Sequence, residues 1–197
     1  MNEEELSGWL RKLREGDSQA FIQVHEYIKR PVYGTVCLLV KTRNDAADVT
    51  NEIYLELFRS LPKYDESKPF KAWLNGIIVR QCSSYNRKQW RKSRVESRVR
   101  DYTEGTVSPG ADQLAVSRER REELLHLITQ LPYKFRSVIV LRYFQECSFE
   151  EIGAALDIPV GTAKSRHFKA LGKLRKLADA DGFSTMKEEW QWVSKMN

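Results

Sequence analysis

A stretch near the C-terminus, Ser148–Leu177, constrains the fold of this chain more than any other. Ser148 is followed three residues later by Glu151, a spacing typical of a capping box, in which both side chains bind backbone N–H groups of the first helical turn. Pro159 cannot lie inside a helix, but its fixed φ suits a first helical position. Residues Gly153–Ala155 are small enough for close helix crossing. The stretch therefore predicts a helix, a tight turn and a second helix beginning at Pro159.

The second helix separates an apolar face from a basic one. With 100° per residue, its packing face is predicted to carry Val160, Ala163, His167, Ala170, Leu171, Leu174 and Leu177. Its outer face carries Thr162, Ser165, Phe168, Lys169, Gly172, Lys173 and Lys176, with Lys164 and Arg166 on the flanks. From Pro159 to Lys176 there are six basic residues and no acidic one. This pattern favours the DNA major groove over the alternative, an ordinary solvated helix, because solvated faces usually mix both charges.

Positive charge is concentrated in two islands. The 197 residues carry a net charge of +6. Arg87 to Arg100 contains seven basic residues and one acidic residue, and Pro159 to Lys176 contains six basic residues, so each island carries +6 and the remainder carries −6. Localised positive charge indicates two separate contacts with a polyanion.

The composition is typical of a globular protein without an enzymatic site. It is 41% hydrophobic and 30% charged, with no apolar run of membrane-spanning length and an acidic start unlike a signal peptide, so we expect a cytoplasmic location. Cys37, Cys82 and Cys147 are far apart and outside any CxxC pattern, and the histidines are equally scattered. We therefore expect reduced, mostly buried thiols, and no disulfide, metal site, cofactor or catalytic group.

The N-terminal half shows helical periodicity and no persistent strand alternation. Apolar residues between positions 6 and 13 predict a short amphipathic helix that packs on the rest, and Asp17 is expected to cap the next helix. Pro31 is expected to end that helix, with a further one beginning at Val32. The predicted fold class is all-α.

The stretch from Asn44 to Leu61 predicts a helix with two dissimilar faces. Its core stripe is Ala46, Val49, Ile53, Leu57 and Leu61. Its other side carries Asp48, Asn51, Glu52, Leu55, Phe58 and Arg59. An acidic and apolar face repels DNA but suits a protein surface with basic and apolar elements. An alternative is that both sides of the helix are covered within its own domain. The residues alone do not favour either an exposed face or a covered one.

Residues 61–69 form a proline-bounded loop, after which Pro69 opens a long helix. The predicted core residues of this helix are Phe70, Leu74, Ile77, Gln81 and Tyr85. Beside them runs a basic and aromatic stripe of Trp73, Arg80, Ser84, Arg87 and Arg91. Rings at Tyr64, Trp73 and Trp90 could stack on unpaired bases while arginines hold the backbone, although tryptophans in such helices more often pack in a core.

Helical periodicity fails from Ser93 to Ser117, where turn-forming and polar residues predict an interdomain linker. Helices resume at Arg118 and lead into the helix-turn-helix. The predicted organisation is two small helical domains, residues 1–92 and 118–178, joined by the linker 93–117. In the tail, residues 179–197, the spacing of Met186, Trp190 and Val193 predicts one last amphipathic helix.

Three stretches resemble, in the right order, the extracytoplasmic-function class of bacterial sigma factors, the promoter-recognition subunits of RNA polymerase. Asp45–Phe58 resembles the helix that binds core polymerase, and Lys68–Leu74 resembles the start of the promoter-melting helix. Leu131-Pro132, Phe149–Gly153 and Pro159–Arg166 resemble the second, helix-turn-helix domain. The resemblance extends from about residue 16 to residue 177.

The resemblance implies roles for three sets of residues. The polymerase-binding set is Asp45, Asp48, Asn51, Glu52, Leu55 and Phe58. The set that captures the unpaired minus-ten element is Lys63, Tyr64, Lys68, Lys71, Trp73, Arg80, Ser84, Arg87 and Arg91. The set that reads the duplex minus-thirty-five element is Thr162, Lys164, Ser165, Arg166, Phe168 and Lys169, with Thr162 and Arg166 on phosphates. Such a protein catalyses no reaction itself but binds polymerase and promoter DNA. It is commonly held inactive by an anti-sigma factor, often at the membrane.

The chain departs from the family at three positions. Arg80 and Ser84 stand where the melting helix usually has an asparagine and an aspartate, and Asn51 replaces a usual glutamine. Arginine cannot supply the donor and acceptor pair of an amide, so the hydrogen bonds to the minus-ten element differ from the usual ones.

Two other classes of protein fit less of the sequence. A stand-alone helix-turn-helix repressor or activator would leave Arg87, Arg91 and the acidic face unused, and no dimer helix is visible. A nucleic-acid enzyme would need a histidine or a second acidic cluster beside Asp45, Asp48 and Glu52.

Overall fold

The computed structural model describes residues 1–40, 43–96 and 115–180, and all regular structure within these ranges is helical. The elements are α1 (Glu3–Arg14), α2 (Ser18–Leu39), α3 (Arg43–Ser60), a 3-10 turn (Leu61–Lys63), α4 (Phe70–Glu96), α5 (Ala115–Gln130), α6 (Tyr133–Tyr143), α7 (Phe149–Leu156) and α8 (Val160–Ala180). The predicted all-α class is confirmed. The predicted linker, 93–117, is wrong at both ends, because α4 continues to Glu96 and α5 begins at Ala115. The remainder of the linker, 97–114, and the tail from residue 181 lie outside the described residues.

The first two helices begin at caps that the sequence encodes. At the start of α1, Asn2 Oδ1 accepts from the Glu5 N–H at 2.8 Å, and Glu5 Oε2 accepts from the Asn2 N–H at 3.1 Å. Asp17 caps α2 as predicted, with Oδ1 2.7 Å from the Gln19 nitrogen. These bonds satisfy N–H groups that have no partner within the helix. Leu6 and Leu10 bury the inner face of α1, which packs on α2.

The expectation that Pro31 ends a helix is wrong, because α2 continues through it to Leu39. A proline inside a helix removes one backbone hydrogen bond and costs about 3 kcal/mol. The side chains of Ile28 and Val32 on either side are fully buried, and the Thr35 hydroxyl donates to the Pro31 carbonyl at 2.7 Å. Packing of this long helix against its neighbours thus outweighs the local cost of the proline.

The helix-turn-helix follows the sequence closely. The predicted capping box is present, with Ser148 Oγ 3.1 Å from the Glu151 nitrogen and Glu151 Oε2 2.7 Å from the Ser148 nitrogen. Helix α8 begins one residue after Pro159. A Cβ at Gly153 would lie 2.9 Å from the Ile158 carbonyl oxygen, so only glycine allows this close turn. Asp157 ends α7 in the left-handed region, with φ of 53°.

The predicted core stripes of α3 and α8 are confirmed. On α3 every stripe residue is buried, namely Ala46, Val49, Ile53, Leu57 and Leu61. On α8 the buried residues are Ala163, His167, Ala170, Leu174 and Ala178, with Val160, Leu171 and Leu177 partly buried. Each stripe leaves the opposite helix face to solvent.

Helix α4 is buried on two sides, whereas the sequence predicted one core face. Its residues Asn75, Ile78, Val79 and Cys82 are covered because α7 and α6 pack against it. Among the described residues, five hydrogen bonds join the two halves of the chain, and four of them are 3.2 Å or shorter. These four are Asn75 Nδ2 to Cys147 Sγ at 3.2 Å, Tyr133 OH to the Val79 carbonyl at 2.7 Å, Gln145 Nε2 to Thr35 Oγ1 at 2.6 Å, and Arg136 Nη2 to the Leu39 carbonyl at 3.2 Å.

The predicted burial of the cysteines is confirmed for Cys82 and Cys147, and Cys37 is partly buried. Burial raises the pKa of Cys82 to about 12 and that of Cys147 to about 11. Both buried thiols are therefore protonated and poorly nucleophilic at neutral pH. Both lie where α4 meets the second half of the chain, so their exposure would report separation of the two halves.

Candidate nucleic-acid interface

The outer face of α8 is a continuous polar and basic surface. Phe168 is 79% exposed, an unusual state for a large apolar ring, and it stands among Lys164, Ser165 and Lys169, which are also exposed. The flanking residues Thr162 and Arg166 are partly buried. An exposed ring among cations can meet a thymine methyl while the lysines reach phosphates or base edges. The structure thus brings all six residues predicted for the minus-thirty-five element onto one short stretch of helix.

A buried histidine supports this face from below. His167 Nε2 lies 2.8 Å from the Tyr143 hydroxyl, and the His167 ring meets Phe149 edge-on at 5.2 Å between centroids. Burial, with a smaller effect from Arg142, lowers the pKa of His167, so the imidazole is neutral at pH 7. The helix therefore carries its positive charge only on the outer side.

Phe149 of α7 also positions cations at the edge of the surface. The Arg142 guanidinium carbon lies 5.2 Å from the Phe149 ring centre, and Lys164 Nζ lies 5.8 Å from it. Both distances allow cation–π attraction, worth about 0.5–1 kcal/mol at exposed sites. The first helix of the pair thus steadies a side chain of the second. Sequence reasoning assigned no role to Arg142.

The second basic surface runs from the α3–α4 loop along α4. Its cations Lys63, Lys68, Lys71, Arg80, Arg87 and Arg91 are all exposed, whereas Trp73 and Ser84 are partly buried. Trp90, near the far end, is 59% exposed. The structure therefore places the predicted minus-ten cations along one loop and one helix. Such an array of cations and rings matches the chemistry of single-strand binding.

Tyr64 does not fit the expectation that its ring stacks on an unpaired base. It is buried, with its ring 4.7 Å from that of Trp73 and 5.8 Å from that of Phe70. Its hydroxyl donates to the Lys68 carbonyl at 2.5 Å. Because neighbouring rings cover it, Tyr64 shapes the loop from inside.

Gly76 makes room for Arg80, a relationship that the sequence did not indicate. A Cβ at Gly76 would lie 3.0 Å from Arg80 Nη1, so the guanidinium folds back along the helix over the glycine. Residues four apart share a helix face, which explains the contact. Arg80 is thereby held close to the helix backbone, although its side chain remains exposed.

A third surface, the α3 face, is acidic and apolar. Asp48, Asn51 and Glu52 are exposed, and Leu55 is 48% exposed. Phe58 is partly covered by Phe21 of α2, with ring centroids 5.1 Å apart. The even choice between a covered and an exposed face is thus decided in favour of exposure, at least for the middle of the helix.

Two details of the α3 face were missed by sequence reasoning. Phe21 is 42% exposed and extends the apolar part of the face onto α2. Asp45 is partly buried and interacts with the Tyr85 hydroxyl, whose pKa is raised by burial first and by Asp45 second. Contacts between distant helices cannot be seen in the periodicity of either helix.

The part of the chain that the structure describes contains no cluster of three or more His, Cys, Asp or Glu side chains placed to hold a metal ion. Across residues 1–40, 43–96 and 115–180, no helix has both the length and the apolar character that crossing a bilayer requires.

Comparison with known proteins identifies the family. Residues 24–92 match the family model of sigma-70 region 2, and residues 127–176 match that of sigma-70, region 4. The ECF RNA polymerase sigma-E factor of Escherichia coli strain K12 is 30% identical over 168 residues, covering 82% of this chain and 87% of the relative. This chain belongs to the ECF sigma factors. The sigma factor directs transcription initiation. The family predicted from the sequence resemblance is thus confirmed, and the alternative, a stand-alone regulator, is not supported.

A second curated relative is similar in sequence, and two solved structures are similar in fold. The ECF RNA polymerase sigma factor SigW of Bacillus subtilis is 29% identical to this sigma factor over 175 residues, covering 85% of the chain and 93% of SigW. Among solved structures, the fold is similar to the sigma factor RpoE in complex with the anti-sigma factor NepR from Bartonella quintana, with a TM-score of 0.67 and 20% identity, covering 82% and 98% of the two chains. It is also similar to CnrH in complex with the cytosolic domain of CnrY, with a TM-score of 0.63 and 22% identity, covering 88% and 96%.

Proposed function

We propose that this sigma factor divides promoter recognition among the three surfaces described above. The observation that carries the proposal is the segregation of charge between helices: the exposed face of α3 is acidic and apolar, whereas those of α4 and α8 are basic. A polyanion is attracted to the basic faces and repelled by the acidic one. The faces therefore suit DNA on α4 and α8 and a basic, apolar protein surface on α3.

In this proposal the α8 face reads the minus-thirty-five element as duplex. Lys164, Ser165, Phe168 and Lys169 face the base edges of the major groove, and Thr162 and Arg166 contact phosphates. A helix lying in this groove reads sequence through such side chains, and each good contact contributes about 1–3 kcal/mol of discrimination. The neutral His167 and its bond to Tyr143 support this proposal, because they hold the helix at a fixed angle on the domain.

The α3–α4 loop and the α4 stripe are proposed to hold the minus-ten element as unpaired strand. The exposed lysines and arginines bind the backbone, and Trp73 and Trp90 offer ring surface to bases. Stabilising unpaired bases lowers the free energy cost of opening DNA, and this requires no covalent chemistry. Tyr64 is left out of the base-contacting set, because its ring is buried.

The α3 face is proposed to bind core RNA polymerase through Asp48, Asn51, Glu52, Leu55 and Phe58, with Phe21 at its edge. Its mixture of exposed acids and a 48% exposed leucine supports this role, since interfaces combine apolar centres with polar rims. We assign residues 1–92 to the domain that binds polymerase and melts DNA, and 118–178 to the minus-thirty-five domain. We further propose that the protein has no catalytic activity of its own and acts in the cytoplasm.

Run-off transcription with purified core polymerase and a promoter library tests the proposed function. We expect protein-dependent transcripts whose templates share two spaced upstream elements. If the protein binds duplex DNA but no transcript depends on it, the helix-turn-helix assignment survives and the role in initiation is refuted.

We also propose control by an anti-sigma factor. A groove of about 650 Å³ lies between the halves of the chain, lined by α1, the loop before α4, and the turn that carries Phe144 and Glu146. Tyr27 at its wall is 46% exposed, and Phe144 is 38% exposed. A related fold has been solved with an anti-sigma factor bound. A pull-down from the native cell should recover such a protein beside polymerase, and recovery of polymerase alone would contradict the proposal.

A further inference from the structure

The last residue of α1 reaches across to the α3–α4 loop. Arg14 Nε donates to the Leu61 carbonyl at 3.1 Å, Nη2 donates to the Tyr64 carbonyl at 2.5 Å, and Nη1 binds Glu66 Oε1 at 2.7 Å. These are three points on one loop held by one side chain that is 47 to 52 positions away. Helix α1 itself precedes the region 2 match, which begins at residue 24.

The loop that Arg14 holds has a defined internal structure. Asp65 Oδ1 accepts from the Ser67 N–H at 3.0 Å and from the Ser67 hydroxyl at 2.7 Å. The Lys68 N–H donates to the Asp65 carbonyl at 3.0 Å, which closes a turn. Lys63 and Lys68 remain exposed on the outside of this turn. The direction in which these two lysines point is therefore fixed by the backbone that Arg14 binds.

Tyr64 extends the contact from Arg14 to the α4 stripe. Its carbonyl accepts the Arg14 bond, its hydroxyl donates to Lys68, and its ring packs on Trp73. One residue thus links the end of α1 to both the loop cation and the first aromatic residue of the stripe. A shift of Tyr64 would move Lys68 and Trp73 together.

Only arginine can make this set of contacts. The guanidinium is a planar fork with five N–H donors, and here its Nε, Nη1 and Nη2 each bind a different acceptor. Lysine would bring the same charge on a single nitrogen, which cannot span the same three acceptors. The side chain of Arg14 is only 28% exposed and that of Glu66 39%, so solvent weakens the pair less than on an open surface.

We propose that Arg14 is a positioning residue for minus-ten recognition: it holds the loop 61–68 and, through Tyr64, Trp73 in the arrangement that receives the unpaired strand. The inference rests on the proposed function of that surface. The contact adds a part of the chain outside the region 2 match to the determinants of base preference. It acts through the loop backbone and not by touching DNA.

The test compares Arg14→Ala and Arg14→Lys with a matched control, Arg11→Ala, which removes an exposed cation from the same helix. Each variant is assayed with core polymerase on the promoter recovered from the library, with the minus-ten positions randomised and the transcripts sequenced. Affinities for core polymerase and for a minus-thirty-five duplex are measured in parallel, together with the unfolding temperature.

We expect Arg14→Ala to lower minus-ten-dependent transcription by roughly tenfold and to flatten the base preference, because a loop displaced by about 1 Å no longer presents its contacts. Affinities for polymerase and for the minus-thirty-five duplex should stay within about twofold of those of the natural protein. Arg14→Lys should restore the unfolding temperature more fully than the base preference. The Arg11→Ala variant should behave like the natural protein throughout.

An unchanged base preference in Arg14→Ala overturns the proposal, whether or not the unfolding temperature falls, since a merely structural tether would alter stability alone. Failure of the proposed function has a different signature. In that case the natural protein itself supports no transcription from any library member.

Discussion

Gln145, in the turn between α6 and α7, donates a 2.6 Å hydrogen bond to the hydroxyl of Thr35 on α2, 110 positions away. Both residues are buried, at 7% and 2% exposure. A buried amide without a partner costs about 1–3 kcal/mol, and apart from Thr35 the Gln145 amide nitrogen has the Pro31 carbonyl, at a longer 3.5 Å. The bond lies in the contact between the two halves of this sigma factor.

Replacing the two residues should therefore show energetic coupling. We expect Gln145→Ala and Thr35→Val each to lower the free energy of unfolding by about 1–2 kcal/mol, and the double variant to lose about 1 kcal/mol less than their sum. Urea unfolding of the four proteins measures the coupling. As a control, Gln145→Ala combined with Thr129→Val should be additive, because Thr129 binds the His126 carbonyl instead. Additivity in the first pair would show that the bond contributes nothing.

The acidic side chains of the α3 face should matter for polymerase and not for folding. We expect the double variant Asp48→Ala, Glu52→Ala to weaken binding to core polymerase by at least roughly tenfold. Both side chains are exposed, so the unfolding free energy should change by less than about 0.5 kcal/mol. A matched control, Glu4→Ala with Glu15→Ala, removes two exposed acids from the α1 region. Fluorescence titration with labelled polymerase would refute the assignment if both doubles bound alike.

Phe168 should contribute to DNA affinity without contributing to stability. We expect Phe168→Ala to weaken binding to the minus-thirty-five duplex by about 1–3 kcal/mol, the range for one good base contact. Its 79% exposure predicts a change in unfolding free energy below about 0.5 kcal/mol. Phe21→Ala on α2 is the control, since that ring is also exposed but lies on the α3 face. Equal duplex affinity for the two variants would remove Phe168 from the reading surface.

Stability should fall as the pH drops below neutrality, because of His167. Burial lowers the pKa of His167 in the folded protein, whereas an unfolded histidine titrates near 6.5. As the pH falls through this value, the unfolded chain binds a proton that the folded chain resists, so unfolding becomes more favourable. At pH values above this window both forms are neutral and the effect disappears.

The measurement is the unfolding free energy at pH 7.5 and 5.5. We expect His167→Gln to lose less stability between these values than the natural protein, whatever its stability at pH 7.5. The His126→Gln variant, at an exposed position on α5, should keep the natural dependence. If all three proteins lose the same free energy, another group is responsible.

Local features of the fold could be predicted from the sequence because they depend on residues that are close to one another in the chain. The Ser148 and Glu151 box, the turn at Pro159 and the buried stripe of α3 each depend on spacing within one helix, and each is present. Pro31 shows the limit of this reasoning, since contacts of α2 with several other helices preserve a helix that local rules would end.

Features that join distant parts of the chain could not be predicted. The sequence from Asn75 to Cys82 predicts a helix with one apolar side. Its pattern does not indicate that α6 and α7 cover a second side. Tyr64 was assigned to DNA because an aromatic residue in a loop suits stacking, but its neighbours Phe70 and Trp73 bury it. Arg14 was not singled out, because a side chain that binds 47 residues away leaves no periodic signal.

The packing of α7 against α4 bears on how far apart the two proposed DNA surfaces can lie. With its 27 residues, α4 is about 40 Å long, and the contact between Asn75 and Cys147 places the start of α7 beside its first half. Promoter elements about 25 base pairs apart are separated by about 85 Å of duplex, which is too stiff to fold back at low cost. The DNA surfaces proposed on α4 and α8 lie on two halves that pack together, since α7 contacts both helices. For one molecule to contact both proposed elements at that separation, α7 would have to leave α4.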